Sequence, residues 1–96
     1  MKIAYIYILQ CADNTYYTGV TTNLEKRLQQ HQSGFHRDSY TYKRRPVTLA
    51  FKASFTNINH AIEKEKQIKK WSKAKKKALI DGDFELLPDL AKKKFK

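Results

Sequence analysis

One cysteine, Cys11, is present in 96 residues. A lone thiol closes no intramolecular disulfide and builds no cysteine-based zinc site, so the fold rests on its apolar core, and a reducing cytoplasm fits. Glycine (3) and proline (2) are scarce, which excludes extended linkers and low-complexity segments. Long apolar runs are missing as well. The longest, Ile3–Leu9, is seven residues, where a membrane-spanning helix needs about 20. Lys2 before that run and Cys11 after it have the outline of a lipoprotein signal. Gln10 is not the small residue such a cleavage site requires, and Tyr5 and Tyr7 suit a strand.

Acidic residues are the last shortage. Nine Asp and Glu against twenty Lys and Arg leave a net charge of +11. Such a chain repels itself unless it meets a polyanion, with nucleic acid the first candidate and an anionic membrane surface the second. A chain of this length buries on the order of 60–65% of its unfolded surface. That supports one two-layer core and excludes barrels, dinucleotide-binding folds and multidomain enzymes.

Residues 3–10 are β-branched and aromatic and read as a buried strand. Asp13-Asn14 is turn chemistry, and residues 15–20 read as the second strand of a hairpin, with Gly19 marking a close backbone approach or a bulge. Thr22 and Glu25 form a capping box that starts a helix near Asn23, and Gly34 stops it. Residues 35–46 read as a long basic surface loop. Val47–Phe55 is a third strand. Asn57 or Asn59 caps a second helix running to about Trp71, and Ser72 caps a third running to about Ile80. The order β-β-α-β-α-α predicts an α+β domain over residues 1–82, a small three-stranded antiparallel sheet flanked by helices, followed by a basic tail over 83–96.

Polar residues on apolar faces carry the functional signal. At about 100° per residue, Arg27 and His31 fall on the Leu24 face of the first helix and stack four apart. On the second helix, Ile58, Ala61, Ile62 and Ile68 share an arc that also contains Glu65. An unpaired buried carboxylate costs several kcal/mol, so two readings stand: a structural ion pair with Arg27, or a carboxylate that binds a divalent cation in a cleft. Four of the six tyrosines crowd the hairpin, and if residues 7 and 17 pair, their hydroxyls point to one side. Eight lysines between 64 and 77 surround Trp71 with few acidic partners. These lysines, Lys69, Lys70 and Lys73 among them, with Arg37, Lys43, Arg44 and Arg45, are candidates for a phosphate-gripping rim that positions nucleic acid without reading sequence, and Tyr40 is a further candidate nucleic-acid contact.

These residues resemble a known family. Tyr5-Ile6-Tyr7, a spacer, and Tyr17-Thr18-Gly19 are similar to the paired tripeptides of the GIY-YIG nuclease superfamily. Asn23–Leu28 with His31 resembles its first helix, which carries a catalytic arginine. Ala61–Lys69 resembles the helix carrying its metal-binding glutamate, here Glu65. Tyr40-Thr41 and Arg44-Arg45-Pro46 look like the small stand-alone bacterial members, and the likeness spans about residues 3–80. It implies metal-dependent hydrolysis of DNA phosphodiesters, in repair or DNA processing, with Tyr7, Tyr17, Arg27, His31 and Glu65 as the catalytic set and Gly19 at the nucleic-acid surface.

The side chains suit that chemistry. One Mg²⁺ or Mn²⁺ on Glu65 neutralises a phosphate oxygen and the leaving group. Arg27 holds the non-bridging oxygens. Tyr17 or Tyr7 orients or deprotonates the attacking water, and His31 is the better-matched base if it reaches that water. The sequence departs from the family pattern in four places. Tyr5 replaces the first Gly, and Thr18 is central in the second tripeptide. Val20 stands where excinuclease-type relatives have lysine, and a late asparagine is missing. No attached DNA-binding domain fits in this length, so targeting falls to the basic surface or a protein partner. The competing reading is a non-catalytic nucleic-acid-binding module or adaptor.

Overall fold

The computed structural model describes residues 2–34, 37 and 39–82. The expected tail over 83–96 lies outside the described residues. Three strands form one antiparallel sheet: β1 (Ala4–Gln10) lies between β2 (Tyr16–Thr21) and β3 (Thr48–Phe55). Helices α1 (Leu24–Ser33), α2 (Ile58–Lys69) and α3 (Lys73–Asp81) complete the α+β order anticipated from the sequence. The two edge strands each begin one residue later than expected.

β1 is central because both its faces are apolar. Ala4, Ile6 and Ile8 point to one side, where they bury against Ala61 and Ile68 of α2 and Ala78 and Leu79 of α3. Tyr7, Leu9 and Cys11 point to the other and pack with Val47, and with Leu24 and Leu28 of α1. Ile6, Ile8 and Leu9 are each 0% exposed, worth about 1.5–3 kcal/mol apiece in transfer from water. The sheet is thus covered by α2 and α3 on one face and by α1 on the other. A register shift between Ile8 and Leu9 leaves Ala50 of β3 as the extra residue.

The turn between β1 and β2 closes as its residues suggest. Cys11 N–H donates to Thr15 O at 2.9 Å, Asn14 takes the left-handed conformation at φ 70°, and Asp13 Oδ1 accepts from the Thr15 hydroxyl at 2.6 Å. Tyr7 does not pair with Tyr17. It faces Gly19, while Leu9 faces Tyr17. The two tyrosines are diagonal neighbours on one face, with ring centroids 6.3 Å apart.

Three helix details differ from expectation. The cap of α1 is Asn23, whose side chain accepts from Lys26 N–H, while Thr21 Oγ1 accepts from Asn23 N–H. Thr22 is exposed and caps nothing. The third-residue acceptor geometry simply falls one residue later than the Thr22–Glu25 pattern implied. Ile58, placed on the buried arc of α2, is the first helical residue and is 41% exposed. The 35–46 segment is not wholly superficial: Thr41 is 0% exposed and Tyr42–Arg44 form a short 3-10 turn.

Candidate active site

The Tyr7 side chain organises the α1 face of the sheet. Its hydroxyl lies 2.9 Å from His31 Nε2 and accepts from Arg27 Nε at 3.4 Å. The other ring nitrogen, His31 Nδ1, is 2.8 Å from the Thr41 hydroxyl, which in turn is 3.2 Å from Ser39 Oγ. Because Arg27 can only donate, the single phenolic proton is left to point at Nε2. The i,i+4 spacing of Arg27 and His31 therefore does what the helix geometry foretold, bringing both to one point above β1.

Burial assigns the roles. Tyr7 is 0% exposed and His31 6%. Desolvation raises the Tyr7 phenol above its usual 10.0, with the Arg27 hydrogen bond pulling the other way. Tyr7 is therefore a protonated, buried positioning group, and His31, with a hydroxyl on each nitrogen, is not presented to solvent water. The direct-base assignments for these two residues do not match their surroundings. Tyr17 is half-buried and is the accessible phenol of the pair. Its ring sits 5.2 Å from His31 and stacks on Tyr40 at 5.9 Å. Arg27 faces both phenols: the Tyr7 hydrogen bond first, with Tyr17 adding to it, holds the guanidinium more firmly charged than usual.

Gly19 serves this arrangement from beneath. A Cβ there would sit 2.5 Å from both Cζ and Oη of Tyr7, so the ring lies directly on the glycine backbone. Gly19 is buried and makes room for Tyr7, which is a different job from the nucleic-acid contact expected of it.

Glu65 projects from α2, 8% exposed. Its ion pair is with Lys69, at 3.4 Å and one helical turn on, and not with Arg27. Its negative charge still reaches Tyr7, where it is the least of the influences raising that phenol. Among the described residues no group of three or more His, Cys, Asp or Glu is placed to hold a metal. The donor set is one largely buried carboxylate, already beside Lys69, and a hard cation held there would complete its shell with water and substrate oxygens.

The expected basic rim divides. Arg45 bonds the carbonyls of Tyr42 and Gln32 and lies over the Tyr42 ring. Arg44 pairs with Asp13 at 3.0 Å, donates to Tyr40 O at 2.8 Å, and covers the Tyr40 ring at 3.9 Å. Both arginines clamp the 40–45 segment. Lys70 and Lys73 are exposed. Gly34, at φ 72°, ends α1 where a Cβ would meet the Arg45 guanidinium at 2.7 Å.

Two partners escaped the sequence reading. Thr41 orients His31, but a threonine in a polar loop has no periodicity to announce its burial. Gln32 ties α1 to Val47, the residue before β3, its amide nitrogen donating to Val47 O and its Oε1 accepting from Val47 N–H at 3.2 Å.

Residues 3–78 match the GIY-YIG catalytic domain family. A UPF0213 protein of Syntrophus aciditrophicus is 49% identical over 80 residues, covering 83% of this chain and 92% of its own length. A UPF0213 protein of Natronomonas pharaonis is 43% identical over 76 residues, covering 79% and 88%. The solution NMR structure of a UPF0213 protein from Bacillus halodurans superposes with a TM-score of 0.54 at 35% identity, over 82% of this chain and 83% of that one.

Proposed function

The chain belongs to the GIY-YIG nuclease family, and from that premise we propose that it hydrolyses phosphodiester bonds in DNA with one divalent cation on Glu65, in repair or DNA processing. The observation that carries the reading is the Tyr7 hydroxyl held between His31 Nε2 and Arg27 Nε on the face where Tyr17 remains accessible.

Arg27 is fixed at Nε by Tyr7, which leaves its terminal nitrogens to grip the non-bridging oxygens of a phosphate. One of them, Nη1, also donates to Gln30 Oε1 at 3.4 Å, a contact that a phosphate would replace. Tyr17, beside Arg27, lies where a hydroxyl can orient the attacking water. Tyr7, His31 and Thr41 hold that frame rigid, so reacting groups meet without reorganisation. Glu65 would hold Mg²⁺ or Mn²⁺, which when bound neutralises a phosphate oxygen and the leaving group. Lys69 would release Glu65 at that moment, being more than half exposed itself.

The test is nicking of supercoiled plasmid in Mg²⁺, in Mn²⁺ and in EDTA, with Glu65→Ala alongside. Nicking that requires the cation and Glu65 is expected. Cleavage retained by Glu65→Ala would refute the assignment. Salt-sensitive binding without nicking, unchanged in the variant, would favour the non-catalytic module.

A further inference from the structure

A cavity of about 220 Å³ opens next to the site, bounded by Thr15, Tyr16, Tyr40, Trp71, Lys73 and Lys76. Tyr40 joins it to the catalytic face through its stacking on Tyr17. Lys76 is the unusual member. It is 8% exposed, on a helix whose other lysines, 73, 75 and 77, lie in solvent. Among the described residues it has no hydrogen-bonded or ion-paired partner. The charges it feels are Lys69, which opposes it, and Glu65, which is already paired with Lys69.

The Lys76 stem is buried, while the ammonium itself keeps contact with solvent in the open cavity. Tyr16, Tyr40 and Trp71 lower the polarity of the cavity wall, which strengthens a charge interaction beside it. Lys73 adds a second cation at the rim, 5.9 Å above the Tyr16 ring. An anion arriving from outside completes this arrangement.

We propose that the cavity is a second phosphate subsite, in which Lys76, with Lys73 at the rim, holds a phosphate of the bound strand beside the scissile one. The assignment rests on the nuclease reading for the identity of the strand, and on the cavity alone for the presence of an anion site. Lys76 would then fix the register of the strand across Arg27 and Glu65.

The experiment measures binding of a short DNA duplex in EDTA, where no cleavage occurs, over a range of salt. Lys76→Met should fold, lose about tenfold in affinity at low salt, and flatten the plot of log affinity against log salt by about 0.9, the slope of one phosphate contact. Lys76→Gln should do the same, and Lys76→Arg should restore the slope. Emission from Trp71, the one tryptophan in the chain, should change on saturation of the wild type and not of Lys76→Met. Unchanged slope and affinity in a folded Lys76→Met or Lys76→Gln would overturn the subsite and make Lys76 a packing residue. Metal-dependent nicking with that unchanged slope removes the subsite alone. A changed slope without nicking on any substrate keeps the subsite and removes the nuclease reading.

Discussion

Gly19→Ala tests how tightly the site is coupled to the sheet. The added methyl would lie 2.5 Å from Tyr7 Cζ and Oη and 2.9 Å from Cε1, about an ångström inside contact distance. The tip of a tyrosine could ordinarily swing away, but this ring is 0% exposed and bounded by Tyr17 at 6.3 Å and His31 at 5.7 Å. Overpacking a dense core costs about 1–3 kcal/mol, and moving the hydroxyl gives up its bonds to His31 and Arg27, at roughly 0.5–1.5 kcal/mol each. A loss of about 2–6 kcal/mol follows, with the guanidinium displaced from its anchor and cleavage slowed by up to about 100-fold. Urea unfolding gives the first quantity and plasmid nicking the second. Tyr7→Leu removes the ring atoms that clash, so Gly19→Ala should cost little more in that background, and the coupling should approach the whole loss seen in the wild type. Equal destabilisation in both backgrounds would show that the cost comes from the β2 backbone, and the account of Gly19 would fail.

Other substitutions separate stability from chemistry. Glu65→Gln should lose metal-stimulated nicking yet shift unfolding by no more than about 1 kcal/mol, because its partner Lys69 is largely exposed and such pairs contribute little; a large stability loss would mean the carboxylate is structural. His31→Ala strands the buried hydroxyls of Tyr7 and Thr41 and should cost roughly 2–5 kcal/mol in urea unfolding. Tyr7 titrates above its unfolded value of 10.0 in the folded chain, so its contribution is intact below that pH and is lost as the phenol ionises at higher pH; Tyr7→Phe should flatten the fall in urea midpoint between about pH 9 and about pH 11. Lys76 has the opposite sign: its folded value is depressed below 10.5, so it opposes folding at neutral pH, and Lys76→Met should raise the urea midpoint there, an advantage that shrinks as alkaline pH neutralises the wild-type lysine.

Periodicity made the core and the helix faces legible. The alternation in β1 placed Tyr7 and Leu9 together, and the helical arcs put Arg27 with His31 and buried Glu65. Register was not legible, because Tyr7 and Tyr17 sit on the same face whether they are opposite or diagonal, and only the turn length decides that Gly19 takes the opposite place. Partner choice was equally hidden. Glu65 had a cation four residues along its own helix, and sequence alone could not rank Lys69 against a distant Arg27. The arginines at 44 and 45 looked like free charge, since nothing local revealed that Asp13, Tyr40 and Tyr42 would engage them.

The site's hydrogen bonds also hold α1 in place. Leu24 and Leu28 are only half-buried, a thin apolar stripe for a ten-residue helix that depends on packing for its stability. What the stripe lacks is supplied by polar ties: Arg27 and His31 to Tyr7, His31 to Thr41, and Gln32 to both backbone groups of Val47. The helix that presents Arg27 is therefore docked by the residues that position its guanidinium. A variant of Tyr7, His31 or Gln32 loses activity and fold together, so its nicking rate has meaning only beside its urea midpoint. Tyr17 and Glu65 are different, since neither is among these ties. If either loses chemistry while the urea midpoint holds, that residue acts on the substrate, not on the scaffold.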